Sequence, residues 1–235
     1  MTRRPLEGLR VLDLGTRVAA PFCAGLLGEQ GAEVIKIEKP GQGDPLRDLG
    51  PFVDGPDGPH SLYWAVEGRG RKSVTLDLSH PEGQRVLRDL AARSDVLCEN
   101  FRPGTLERWN IDPSRLDKRL VTVRISVFGQ DGPKSGRPGL DRNGVAYGGL
   151  LHLTGEEGRP PVRPGVTVTD YLTAVFAALG LGLALPYLGV AAFPGLATRL
   201  PKPGPWMVTL RRYLGLTLAA TGVWLLSVLA TGIGI

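Results

Sequence analysis

A lone aspartate at the mouth of an apolar run is the residue with the most chemistry available to it. Asp170 follows the segment GVTVT and opens YLTAVFAALG. An Asp there suits a helix N-cap, whose side-chain oxygen accepts a backbone N–H. The same placement also suits a nucleophile, because the positive end of the helix favours an ionised carboxylate that can attack an electrophilic carbonyl. Other candidates are weaker. His60, His80 and His152 are scattered, and no HxxxH or CxxC spacing exists, so no metal site is expected. Cys23 and Cys98 lie in apolar segments and read as buried thiols. No GxGxxG follows the first predicted strand and there is no Walker A lysine, so neither a nicotinamide site nor a P-loop is supported.

Basic residues recur beside Gly or Pro at 39–41, 68–72 and 100–104. Lys and Arg next to exposed backbone N–H groups suit phosphates, and Phe101 and Arg108 could flank a flat base. Solvated loops would carry the same composition.

The elements that must position these residues follow a β–α rhythm. Strands are predicted at 9–14, 33–37, 73–78, 95–98 and 120–126, and helices at 21–30 and from Ser79 to Arg93. Gly31 is placed to end the first helix in a left-handed conformation. SHPE at 79–82 fits a capping box. Residues 106–109 read as a helical turn and 39–70 as one long functional loop. Alternating strands and helices predict an α/β fold, an open Rossmann-like parallel sheet binding ligand at its strand C-termini.

Charge and length set the outer limits. The chain has 235 residues, 28 Lys+Arg and 23 Asp+Glu. Only Arg199, Lys202, Arg211 and Arg212 follow Asp170, so residues 1–170 carry 28 − 4 = 24 bases against 23 acids. That near balance argues against nucleic acid as a partner. The opening MTRRPLEGLRV shows no apolar run before its first charges, so no secretory signal is expected and the N-terminal part reads as cytoplasmic.

Residues 171–193 and 213–235 are free of charge and flank a basic loop at 194–212. Two membrane helices are expected from that pattern, with a buried soluble helix as the alternative for the first.

Several blocks resemble the class III CoA-transferases, the CaiB/BaiF family: residues 8–47, GRGRKSVTLDL, DVLCENFRPGTLERWNID, ISVFGQDGP, RPGLD and PPVRPGVTVTDYLTAVFAALG. The resemblance runs over residues 5–180 and implies an interlocked homodimer acting on an acyl-CoA and a carboxylic acid. CoA is then a substrate, with no resident cofactor. It implies that Asp170 is the nucleophile, that Val18 and Ala19 line the CoA site, and that Lys39 meets the phosphoadenosine end. Leu76, Asn100, Phe101, Arg102 and Arg108 complete that site, with Pro138, Gly139, Leu140 and Asp141 near the thioester. The related α-methylacyl-CoA racemases carry a histidine where Leu140 stands, and leucine moves no protons, so racemisation is disfavoured.

Family members continue well past the matching segment. Residues 181–235 instead resemble membrane segments of the thiol:disulfide interchange protein DsbD family, without its cysteine pair. The expected domains are therefore a truncated transferase domain at 1–180 and a membrane-type tail at 181–235. A hybrid chain of low activity is expected, with a membrane-anchored CoA-binding module or a thiol-disulfide transport fragment as alternatives.

Overall fold

The computed structural model describes residues 4–192, with side chains to residue 182. The chain divides into two units, Met1–Pro186 and Tyr187–Ile235, and the account below concerns the first.

Five strands predicted from sequence form one parallel sheet: β1 (Arg10–Asp13), β2 (Glu33–Glu38), β5 (Lys72–Thr75), β6 (Val96–Glu99) and β7 (Val121–Arg124), in the order β5-β2-β1-β6-β7. β1 feeds α1 (Ala19–Glu29), which returns the chain to β2. Gly31 lies at φ +109, the left-handed conformation that turns the chain out of α1. α3 (Pro81–Ala91) leads into β6. Successive strands first move outward from β1 to β5, then restart on its other side at β6. The sheet therefore has a topological switch point between β1 and β6, where open α/β sheets place ligands.

Core side chains cover both faces of the central strands, whereas the edge strands β5 and β7 are more exposed. Because successive strand residues point to opposite faces, Val11 and Cys98 enter one core and Leu12 and Leu97 the other. The first core adds Ala20, Cys23, Ala24 and Leu27 of α1, with Ala174 and Leu181 of α6 (Thr169–Ala192). The second adds Leu87 and Ala91 of α3 and Leu106 of α4 (Thr105–Arg108). Both cysteines are buried free thiols. Contact with Cys23, together with burial, holds the Cys98 thiol far above its usual range.

Three expectations are corrected. Residues 39–70 are not one loop: they contain a 3-10 turn (Pro45–Asp48), an antiparallel hairpin of β3 (Phe52–Gly55) and β4 (Gly58–Ser61), and α2 (Leu62–Glu67). The 79–82 capping box does not form. His80 is the N-cap of α3, its Nδ1 accepting the Glu82 N–H at 3.3 Å, while Ser79 Oγ donates to Asp77.

The third correction concerns the run 171–193. Up to residue 192 it belongs to α6, which presses Ala174 and Leu181 into the core and leaves Leu172, Phe176 and Leu179 exposed. Among the described residues no helix is long and apolar enough to cross a membrane. The second expected span at 213–235 and the basic loop at 194–212 lie outside the described residues.

Candidate active site

The loop after β1 is held by charges buried beneath it. Asp13 and Lys36 are register partners in β1 and β2. Lys36 Nζ lies 2.9 Å from Asp44 and 3.5 Å from Asp13, and also donates to the Gly15 carbonyl. Arg71 bridges Asp13 at 3.0 Å and the Pro21 carbonyl at 2.7 Å. Burial pushes the Asp13 carboxyl up, and Lys36 and Arg71 oppose that rise. Two acids against two bases leave the cluster neutral, the arrangement that makes buried charge tolerable.

Above this cluster, Asp44 accepts the Arg17 N–H at 3.2 Å on both oxygens, and Asn100 pairs with the Thr16 backbone, accepting its N–H and donating to its carbonyl, both at 2.8 Å. Arg17 sits at φ +63, a conformation that a non-glycine residue holds only under such clamping.

A second network fixes the loops after β6 and β7. Glu99 accepts from Arg124 Nε at 2.6 Å and from the Phe101 N–H at 2.7 Å, and Arg124 also pairs with Glu107 at 2.8 Å. Burial raises the Glu99 carboxyl despite these bonds.

The third wall is the junction of α5 (Asp141–Tyr147) with α6. Asp141 Oδ1 accepts the Thr169 N–H at 2.6 Å, the Asp170 N–H at 3.2 Å and the Thr169 hydroxyl at 2.7 Å. Gly144 permits this approach, since a Cβ there would stand 2.7 Å from Thr169 Oγ1. Asp170 is thus not the N-cap of α6, because Asp141 does that work. Among the described residues, the Asp170 carboxylate makes no hydrogen bond or ion pair.

Burial first, and the Asp141 charge second, raise the Asp170 carboxyl from 3.8 to about 6. The direction is opposite to the lowering expected from the helix end alone. The N-terminal N–H groups that would lower it already point at Asp141.

These walls enclose a cavity of about 670 Å³ at the C-terminal ends of β1, β6 and β7, beside the switch point. Among the described residues Asp170 is the one carboxylate lining it, and Arg17, Arg102, Arg137 and Arg142 line it too. The four arginines are exposed, and among the described residues their guanidinium groups have no acidic partner.

The profile of CoA-transferase family III matches residues 6–189. The chain belongs to that family. It is 49% identical over 189 residues to the succinyl-CoA–L-malate CoA-transferase beta subunit of Chloroflexus aurantiacus, covering 78% of this chain and 46% of the relative. It is 40% identical over 190 residues to the human succinyl-CoA:glutarate CoA-transferase, covering 78% and 42%. A CAIB/BAIF family protein from Brucella suis superposes with a TM-score of 0.76 at 33% identity, over 81% of this chain and 51% of that one. The chain therefore spans about half the length of the curated relatives it matches. Nothing in these comparisons supports the likeness of residues 181–235 to the thiol:disulfide interchange family.

Against this family III domain the expected site residues divide into two sets. Ala19, Asn100, Phe101, Arg102, Pro138, Gly139, Leu140 and Asp170 all line the cavity. Val18 is buried behind it as the N-cap residue of α1, and Asp141 supports it from beneath. Lys39 follows β2 and Leu76 follows β5, so both stand on the same C-terminal sheet edge, outside the cavity lining. Arg108 ends α4 and donates to Thr105 Oγ1 at 2.9 Å.

Arg17, Ser126, Arg137, Arg142, Thr169 and Thr173 line the cavity without having been singled out from sequence. The basic residue directly after the β1 turn was the available signal for Arg17. Among the described residues no His, Cys, Asp and Glu group could hold a metal.

Proposed function

We propose that this chain carries the nucleophile half of an acyl-CoA:carboxylate CoA-transferase, with Asp170 attacking the acyl-CoA thioester. The observation that carries the reading is an unpartnered, half-buried carboxylate on a fixed helix end, facing an arginine-lined cavity at the switch point.

The chemistry follows from that placement. An Asp170 oxygen adds to the thioester carbonyl and expels CoA thiolate, leaving a mixed anhydride between Asp170 and the acyl group. The thiolate then attacks the Asp170 carbonyl, breaks the anhydride, and releases the first acid as its carboxylate. The resulting aspartyl-CoA thioester is attacked by the acceptor carboxylate, and the same two steps run in reverse. Covalent catalysis of this kind divides one difficult transfer into easier ones. Each step needs an anionic attacking group, and the four guanidinium groups of the cavity supply a field that holds anions close.

Donor and acceptor are proposed as short dicarboxylic acids. That choice draws on relatives named for succinyl-CoA with malate, citramalate or glutarate. CoA is proposed to run along the sheet edge, with Lys39, Leu76 and Arg108 toward its adenosine end. Val18, Ala19, Asn100, Phe101 and Arg102 lie along its length, and residues 138–141 near the thioester.

A homodimer in the cytoplasm is proposed from the family resemblance. The exposed Leu172, Phe176 and Leu179 of α6 are apolar surface that a second chain could cover.

Incubation of the full chain with succinyl-CoA, followed by peptide mass spectrometry, tests the assignment. An acyl or CoA adduct on Asp170, absent from Asp170→Asn, is expected. An unmodified Asp170 in the wild type would refute it.

A further inference from the structure

An α-helix leaves its first backbone N–H groups without partners inside the helix, and a nearby carboxylate takes them. In most helices that begin with an Asp, the Asp itself is the nearest carboxylate. A side chain spent in this way is fixed against its own backbone, and its lone pairs are occupied.

In α6 the task has passed to another residue. Asp141 opens α5, 29 positions earlier in the chain, and its Oδ1 collects three donors from Thr169 and Asp170. The Thr169 hydroxyl also stands 3.0 Å from the Asp141 carbonyl. The contact is close-packed as well as hydrogen-bonded, because Gly144, one turn along α5, lies against Thr169. α5 is itself anchored at its start, where the Leu140 N–H donates to Asn143 Oδ1 at 2.9 Å.

We propose that Asp141 is a positioning residue: by capping α6 it frees the Asp170 carboxylate from its own helix and points it, unpartnered, into the cavity. The inference rests on the reading of Asp170 as the nucleophile, and assigns to Asp141 a role other than contact with the thioester. Without Asp141 the orphan N–H groups of α6 would turn to the carboxylate still in reach, that of Asp170, and the nucleophile would become a cap.

Two variants of the full chain separate this role from simple charge or packing. Asp141→Asn keeps an acceptor oxygen and removes the charge, whereas Asp141→Ala removes the acceptor. Carboxyl-carbon NMR titration of Asp170 reads the result without turnover. Hydrogen bonding to backbone N–H groups favours the ionised form, so a capping Asp titrates low. Asp170 is expected to titrate well above 3.8 in the wild type, somewhat lower in Asp141→Asn, and below 3.8 in Asp141→Ala.

The charged groups sharing the site are Asp141 and the cavity arginines at 17, 102, 137 and 142, and neither variant touches the arginines. The rate of adduct formation from succinyl-CoA is expected to fall roughly a hundredfold or more in Asp141→Ala, as for a displaced reacting group, and less than tenfold in Asp141→Asn. Identical Asp170 titration in the two variants overturns the proposal. So does a wild-type Asp170 that titrates below 3.8, a measurement that decides the matter even where Asp141→Ala does not fold. A wild-type chain that shows the expected titration but never forms an adduct refutes the nucleophile and leaves the capping role standing.

Discussion

At the scale of one residue, the proposed role of Asp170 as nucleophile sets two opposed demands. A nucleophile must be ionised, yet burial and a neighbouring carboxylate both favour its neutral form, and they lift it to about 6. At neutral pH most molecules remain ionised, and the carboxylate is a stronger base than an ordinary aspartate. The expected outcome is a kcat/KM for CoA transfer that falls as pH drops through about 6, measured against a substrate whose own carboxylates titrate lower.

The same shift bears on stability, with a definite sign. A folded-state value above the unfolded 3.8 means that the native state gains proton affinity. The associated stability is present below pH 4 and is lost as pH rises toward 6. Asp170→Asn should therefore melt above the wild type at pH 7, by a margin that vanishes under pH 4. Equal melting temperatures at both pH values would contradict the shift. The sequence displayed Asp170 with two roles and no means to choose, since the deciding atom belongs to Asp141 and only the fold brings it near.

At the scale of elements, the central strands were legible and the connections were not. β1, β2, β6 and β7 sit in short stretches rich in Val, Ile and Leu, the composition that marks a strand. The hairpin of β3 and β4 is mostly exposed, so it lacked the apolar signal, although its turn Gly55-Pro56-Asp57-Gly58 has the residues that turns require. α5 was missed for a similar reason: it is short, and only Val145 is buried.

The charge cluster beneath the β1 loop was equally invisible, because Asp13, Lys36, Asp44 and Arg71 are far apart in sequence. Its importance can be measured. Lys36 is 1% exposed and stands between two carboxylates, so Lys36→Met leaves Asp44 without its ion pair and Asp13 with Arg71 alone. A loss of about 3–5 kcal/mol in urea unfolding is expected, the cost of breaking a buried pair from one side. A loss below about 1 kcal/mol would mean that water reaches the cluster. At the α5–α6 contact, Gly144→Ala should cost about 1–3 kcal/mol by overpacking and should slow adduct formation at Asp170.

At the scale of the whole molecule, the charge is arranged to act locally. Residues 1–170 are nearly neutral, with 24 bases against 23 acids, so the domain as a whole exerts little long-range pull on an anion. The cavity differs: among the described residues four arginines and one carboxylate line it, a net of +3 when Asp170 is ionised. In the proposed binding mode CoA carries its phosphate charges past Arg102 on the way from the Lys39 end to the thioester. Exposed charges are screened over about 10 Å at 0.1 M salt and about 3 Å at 1 M, so the attraction should be strongly salt-dependent. Calorimetric titration of the full chain with CoA is expected to show Kd rising roughly tenfold between ~0.05 and ~0.5 M sodium chloride. Pantetheine, which lacks the phosphates, should bind weakly and show no such trend. Arg102→Ala should lower CoA affinity at low salt and flatten the salt slope, because one of the screened contacts is gone. A salt-independent Kd for CoA, or a slope untouched by Arg102→Ala, would place the phosphates somewhere other than this arginine-lined edge of the sheet.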